Sequence, residues 1–238
     1  RGVTMRARTI GSFARAASLV VAALVMGCAA ERSDGGANPV DERALLAPSG
    51  TALAPAAPDS FRVTFQTTHG SFTALARRAW APHGVDRFYY LVKHGYYNNT
   101  YFFRVIENFV AQFGISGNSA INNAWDNRAI PDDSVRHSNT PGTISFASKG
   151  PNSRTSQLFI NLTDNGRLDH LGAGFPPIAE IVDGVSTIDS LYDGYGEGAP
   201  AGLGPRQDMI ASHGNQYLKD FFPKLDMVRS ATVAQEWR

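Results

Sequence analysis

Phe102-Phe103-Arg104-Val105-Ile106-Glu107-Asn108-Phe109-Val110-Ala111-Gln112-Phe113-Gly114 and Phe146-Ala147-Ser148-Lys149-Gly150-Pro151-Asn152-Ser153-Arg154-Thr155-Ser156-Gln157-Leu158-Phe159-Ile160 decide how this chain folds. Both are short aromatic and β-branched runs bounded by Gly, Pro and Asn, the composition of strands rather than helices. Among the polar residues of the first run, Arg104 and Gln112 stand out. A guanidinium or amide placed among residues suited to burial is costly unless it is partnered, so Arg104 and Gln112 mark either a functional site or a satisfied structural pair. If the turn between them preserves phase, their eight-residue spacing puts both on one face of a sheet.

Working outward, Phe61, Val63 and Phe65 alternate with polar residues, and Phe72 and Ala74 follow His69-Gly70, so a hairpin is expected there. Val85, Phe88, Tyr89 and Val92 recur at helical spacing between Gly84 and Gly95, predicting a helix to Lys93. Strands are expected over 101–106, 109–113, 143–147, 157–162 and 178–182. A short helix over 185–191, a Gly/Pro-rich loop over 192–206, a helix over 210–222 stopped by Pro223, and a last strand over 227–233 complete the pattern. Many short strands with two or three helices predict a mainly β fold, a closed antiparallel barrel capped by those helices.

The amino-terminal part has a different character. Arg1, Arg6, Arg8 and Arg15 are the only charges before Glu31, and residues 16–27 carry none. That stretch suits a secretory signal and falls short of the roughly 20 apolar residues that span a bilayer. It ends at Val25-Met26-Gly27-Cys28, which resembles a bacterial lipoprotein cleavage box, so residues 1–28 read as a signal peptide and Cys28 as a lipidation site. The alternative is an ordinary signal peptide with an incidental cysteine. A single cysteine forms no internal disulfide. Residues 29–60, with Pro39, Pro48, Pro55 and Pro58, read as a flexible Ala/Pro-rich linker, and 61–238 as the folded domain. The expected location is extracytoplasmic, in a periplasm, anchored to a membrane by lipid. Without residues 1–27 the chain carries 18 basic against 21 acidic side chains, which argues against a nucleic-acid partner.

The two quoted segments resemble the signature stretches of the cyclophilin family of peptidyl-prolyl cis-trans isomerases, and the likeness covers roughly residues 61–238. The resemblance implies an eight-stranded barrel with a helix at each end, no cofactor, and Pro-containing polypeptides as partners. It assigns the catalytic role to Arg104, with Gln112 orienting it and the substrate carbonyl. It gives the proline pocket to Phe109, Val110, Phe159 and Leu168, and the contacts to the peptide backbone to Ala147 and Ser148, with Gln157 in support. Read from the residues alone, Arg104 could instead pair with Glu107 or Glu180, and the apolar residues could be plain core.

Several positions depart from the family pattern. Phe103 stands where histidine is frequent, Val110 where methionine is common, and Ser148 where an asparagine is found. Arg167 takes the place of a tryptophan important for cyclosporin binding in eukaryotic members, so weak cyclosporin binding is expected. Phe175 falls where a histidine is common. The functional alternatives are a non-catalytic holder of Pro-containing segments on the same fold and a purely structural lipoprotein. The six histidines lack metal-ligand spacing, and no metal site is expected. Asp132-Asp133 reads as a turn or cap rather than an acid/base pair. Gly194-Tyr195-Gly196-Glu197-Gly198-Ala199 mimics a dinucleotide fingerprint, but it follows no strand and runs into Pro200.

Overall fold

The computed structural model describes residues 38–49 and 56–238. The expected signal peptide, Cys28, and residues 29–37 and 50–55 of the expected linker lie outside the described residues.

Alternation sets the first hairpin. In β1 (Ser60–Thr67) Phe61, Val63, Phe65 and Thr67 are buried, and in β2 (Ser71–Arg77) Phe72, Ala74 and Ala76 join them. The rings of Phe65 and Phe72, directly opposite across the pair, stack at 4.6 Å. Helix α2 (Pro82–Lys93) starts with proline in its first turn, where a missing N–H costs nothing, and buries Val85, Phe88, Leu91 and Val92. Thereafter come β3 (Thr100–Tyr101), β4 (Arg104–Ile106), β5 (Val110–Phe113), α3 (Ser119–Asp126), β6 (Thr143–Phe146), β7 (Leu158–Asn161), β8 (Pro177–Asp183), α4 (Val185–Asp189), α5 (Gln207–His213), α6 (Asn215–Phe221) and β9 (Met227–Trp237).

The strands form one antiparallel sheet in the order β3-β9-β1-β2-β8-β6-β7-β5-β4. The expected closed eight-stranded barrel is therefore corrected to nine strands with two open edges in the hydrogen-bond ladder. Those edges, β3 and β4, are consecutive in the chain. Tyr101 and Arg104 are three Cα steps of 3.8 Å apart, at most about 11 Å, so the sheet must curl until its ends nearly meet. The single strand expected over 101–106 is broken at Phe102-Phe103 for a packing reason. Both rings are buried, Phe102 in the main core beside Phe113 and Phe103 in a second cluster with Ile115, Ile210, Leu218 and Leu225. Helices α5 and α6 supply Ile210 and Leu218 to that cluster, covering the outside of the seam.

Six α-helical segments occur among the described residues, more than the two or three expected. The helix expected over 210–222 is two helices. Gly214, at φ +62° and ψ −153°, leaves the helical path and divides them, and only glycine fits there because the carbonyl of Gly117 would meet any Cβ. Helix α3 went unforeseen because only Ile121 and Trp125 of its eight residues are buried, too few for a helical period.

Part of the expected flexible linker is ordered. Helix α1 (Glu42–Leu46) is capped by Asp41, whose carboxylate accepts from the Ala44 N–H at 3.1 Å and sits 3.0 Å from His94 Nδ1. Leu45 is fully buried, and Trp125 Nε1 and the Tyr90 hydroxyl donate to the Leu45 and Ala44 carbonyls at 2.9 and 3.2 Å. Leu45→Ala is expected to destabilise the chain by about 2–3 kcal/mol, the lower end for a buried leucine because a short flanking helix can partly collapse. Urea unfolding followed by Trp fluorescence checks this, and an unchanged midpoint would mean that α1 does not dock in solution.

Candidate active site

The site grows out of the β4–β5 hairpin. Its turn, Glu107-Asn108-Phe109, has Asn108 at φ +56°, a conformation asparagine tolerates better than most residues. This loop sets the register Arg104↔Gln112, Val105↔Ala111, Ile106↔Val110, and β5 continues it as Gln112↔Phe159 on β7. Directly opposite residues share a face. Arg104, Gln112 and Phe159 therefore form a row on the outer face of three neighbouring strands. The alternate row, Val105, Ala111, Ile160 and Ile144, faces the core.

On that outer face lies a groove of about 640 Å³. Arg104, Phe109, Val110, Gln112, Ala147, Ser148, Gln157, Phe159 and Leu168 all line it, so the nine residues singled out from the sequence are brought together. Its apolar end is built from Val110, Phe159 and Leu168, all buried, with Phe109, Ala147 and Phe175 packed around them. The Phe159 and Phe175 rings meet edge-on at 5.8 Å. Leu168 comes from a 3-10 turn (Gly166–Asp169) tied down by a buried polar network. Asp169 accepts from Ser138, and Asn139 donates to Asp169 at 2.7 Å and to the Phe175 carbonyl at 2.8 Å. Ser145 and Asn161 in turn donate to the Asn139 oxygen at 2.9 and 3.0 Å. Burial alone would raise the Asp169 carboxyl, but the Ser138 and Asn139 donors outweigh it and hold it below its usual range.

The polar end is a chain of donors. Arg104 Nη1 donates to Gln112 Oε1 at 3.2 Å, and Gln112 Nε2 donates to Gln157 Oε1 at 2.9 Å. The backbone also closes the second segment on itself, with the Ala147 N–H donating to the Gln157 carbonyl at 2.9 Å. The Arg104 and Arg167 guanidiniums lie 5.5 and 4.9 Å from the centre of the Phe109 ring. The ion-pair partners considered from the sequence are not the ones used. Glu180 pairs with Arg77 at 2.9 Å, while Arg104 binds Glu197 in a bidentate pair through Nε at 2.8 Å and Nη2 at 2.7 Å. Asp126, Asn127 and Gln207 also line the groove and were not foreseen, because α3 and α5 reach it only through the tertiary fold.

The other motifs resolve as structure. Asp133 accepts from the His83 and Gly84 N–H groups at 3.0 and 2.9 Å, making it a cap, though of the distant helix α2. Among the described residues no group of three or more potential ligands could hold a metal.

A family model described as cyclophilin type peptidyl-prolyl cis-trans isomerase/CLD matches residues 62–209. Peptidyl-prolyl cis-trans isomerase B of Escherichia coli (strain K12) is 34% identical over 135 residues, which cover 54% of this chain and 82% of that protein. This chain belongs to the cyclophilin-type peptidyl-prolyl isomerases. It is thereby an enzyme of that class. A second relative, peptidyl-prolyl cis-trans isomerase A of Dickeya dadantii (strain 3937), is 35% identical over 150 residues, 59% of this chain and 77% of its own length. The crystal structure of a Cryptosporidium parvum cyclophilin type isomerase superposes with a TM-score of 0.54 at 20% identity, covering 73% of this chain and 97% of that one. At that identity the likeness shows the fold. The same Cryptosporidium protein has also been crystallised in the presence of the dipeptide Ala-Pro, with a TM-score of 0.53. The cyclophilin groove here thus carries an apolar recess and a line of amide and guanidinium donors side by side.

Proposed function

We propose that this cyclophilin isomerises X-Pro bonds of proteins folding outside the cytoplasm, tethered to a membrane through lipid on Cys28. The single observation that carries the catalytic half is the row Arg104–Gln112–Phe159 beside the recess of Val110, Phe159 and Leu168. Amide resonance sets a barrier of about 18–20 kcal/mol, and the uncatalysed change takes tens to hundreds of seconds. No covalent chemistry is needed to lower it. The recess takes the pyrrolidine ring and the backbone of Ala147 and Ser148 takes the flanking peptide. As the bond twists, the nitrogen lone pair leaves conjugation and becomes an acceptor. An Arg104 N–H aimed at that nitrogen binds the twisted state and not the planar one, which is what accelerates a reaction. Gln112 holds the guanidinium and faces the substrate carbonyl. An acceleration of a thousandfold to a hundred-thousandfold requires about 4–7 kcal/mol at roughly 1.4 kcal/mol per decade.

Exchange NMR on a short X-Pro peptide with the 238-residue chain tests this reading. Line broadening supports isomerisation. A chain that binds the peptide without broadening its lines would be the holder of Pro-containing segments instead, an alternative favoured by the short Val110 and by Ser148. The extracytoplasmic half rests on the uncharged run 16–27 and the Val25-Met26-Gly27-Cys28 box. Mass spectrometry of the mature amino terminus tests it, and a free, unmodified Cys28 would overturn the anchor. Two acyl chains would hold the protein stably where one would not.

Weak cyclosporin binding is the further expected result. Arg167 occupies the position of the family's tryptophan and lies over Phe109, a charged head where a flat apolar ring would otherwise pack. Titration of the isomerase reaction with cyclosporin checks this, and nanomolar inhibition would refute it.

A further inference from the structure

The loop between α4 and α5, residues 190–206, is built with more care than a connection requires. Its two limbs touch. The Gly204 N–H donates to the Glu197 carbonyl at 2.8 Å and the Ala199 N–H to the Gly204 carbonyl at 3.0 Å. A Cβ on Gly202 would stand 2.4 Å from the Glu197 carbonyl oxygen, so the limbs meet only because residue 202 has no side chain. The loop is rooted by Tyr195, whose ring meets those of Tyr192 and Phe222 edge-on at 5.1 Å each. That root rests on the second apolar cluster, outside the seam of the sheet.

This framework delivers one carboxylate. Glu197 Oε1 accepts from Arg104 Nε at 2.8 Å and from its neighbour Gly198 N–H at 2.9 Å, and Oε2 accepts from Arg104 Nη2 at 2.7 Å. The guanidinium is thereby divided. Its Nε/Nη2 edge belongs to Glu197, which is not part of the groove lining, while Nη1 donates to Gln112 on the groove side. The hydrogen bonds from Arg104 hold the Glu197 carboxyl below its usual range, so it is a carboxylate at neutral pH.

We propose that Glu197 is a positioning residue of the isomerisation, clamping one edge of the Arg104 guanidinium so that the Nη1 edge is presented to the twisting amide. This rests on Arg104 being the donor to the amide nitrogen. Without the clamp, Arg104 is held by one 3.2 Å bond to a neutral amide and by the face of Phe109, and a long, flexible side chain regains its rotamers. The carboxylate also offsets the positive charge of the guanidinium, which would weaken its donors. Restraint outweighs that loss, because the carboxylate engages Nε and Nη2 and leaves to the groove Nη1, which has a second N–H beside the one given to Gln112. Planar, bidentate pairing is the geometry by which a carboxylate can fix an arginine in rotation as well as in place.

The test uses the 238-residue chain with Glu197→Ala, Glu197→Gln and Glu197→Asp, measured by peptide exchange NMR alongside thermal unfolding. Glu197→Ala is expected to lower kcat/KM by roughly tenfold to thirtyfold, the worth of the rotamer freedom regained, with the loss in kcat rather than in KM. Glu197→Asp, which keeps the carboxylate, should recover part of it, and the isosteric Glu197→Gln less. In the parent the Arg104 Nε–H resonance should be shifted and slow to exchange, and it should lose both properties in Glu197→Ala. Gly202→Ala keeps Glu197 but displaces its backbone, and should reproduce both effects. Unchanged or raised kcat/KM in Glu197→Ala, in a background where Arg104→Ala is inactive, would overturn the proposal while leaving the isomerase intact. A parent chain without catalysis would instead overturn the isomerase reading itself, a different and recognisable result.

Discussion

Arg104→Ala is expected to lower kcat/KM for X-Pro isomerisation by roughly a hundredfold to a thousandfold, the effect of removing one donor that acts in the transition state alone, about 2.7–4 kcal/mol. Peptide affinity should fall far less, because the recess of Val110, Phe159 and Leu168 is untouched. Stability should also hold, since the side chain lies on the outer face of the sheet and makes no contact with the core row. Gln112 would keep its bond to Gln157, and the Glu197 carboxylate, 40% exposed, would be taken over by water. An exposed or half-exposed pair of this kind is worth about 0–1 kcal/mol. Arg104→Lys separates charge from shape. It retains the cation but lacks the fork that binds Glu197 and Gln112 together, so it should recover little of the activity. Exchange NMR at matched peptide occupancy checks both variants, and a folded Arg104→Ala that still broadens the X-Pro lines would remove Arg104 from the mechanism.

The half of the site built on local order was legible in the sequence. Arg104 and Gln112 are separated by an even number of residues across a turn, and strand alternation alone places them on a common face once that turn keeps its phase. The structure makes them direct cross-strand partners. The recess was legible through the signature residues, since Val110 and Phe159 lie on the strands that the two quoted segments form. Glu197 was not. It is 93 positions from Arg104, in a Gly-rich loop with no period, and nothing local ties one carboxylate rather than another to a given arginine. Glu180 was a reasonable candidate on charge alone, but its strand β8 neighbours β2, which brings it to Arg77. A similar limit explains α1. Proline content suggested a tether, whereas a cap at Asp41 and a single buried leucine were enough to dock a five-residue helix. The break at Phe102-Phe103 follows from helices α5 and α6 arriving from the far end of the chain to cover the second ring.

Asp133→Ala is expected to destabilise the chain by about 3–5 kcal/mol, the cost of leaving a buried charge uncompensated. Arg154 is buried to within 1% of its surface, and its Nη2 donates to Asp133 at 3.0 Å and to the Pro131 carbonyl. Its Nε and Nη1 have no hydrogen-bond partner among the described residues, although Asp132 lies 3.5 Å from Nε. Asp133 is thus the principal compensation for the cation, and it also caps α2 through His83 and Gly84. The approach is close enough that a Cβ on Gly84 would stand 2.8 Å from Ile178 Cγ2 and 3.2 Å from Arg154 Nη1. The consequence reaches the groove, because Ser153 and Thr155, on either side of Arg154, both line it. Asp133→Asn keeps hydrogen-bond acceptance but removes the charge, and should cost less than alanine without being neutral. The decisive comparison is a double-mutant cycle with Arg154→Leu. If the aspartate serves chiefly to compensate the arginine, Asp133→Ala should be much less damaging once the cation is gone, leaving about 1 kcal/mol for the lost cap. Urea unfolding of the four chains reads this directly. Equal costs of Asp133→Ala with and without Arg154 would show that the pair carries no coupling, and that the groove segment is held by other contacts, such as Arg87 Nη1 donating to the Thr155 carbonyl at 2.8 Å.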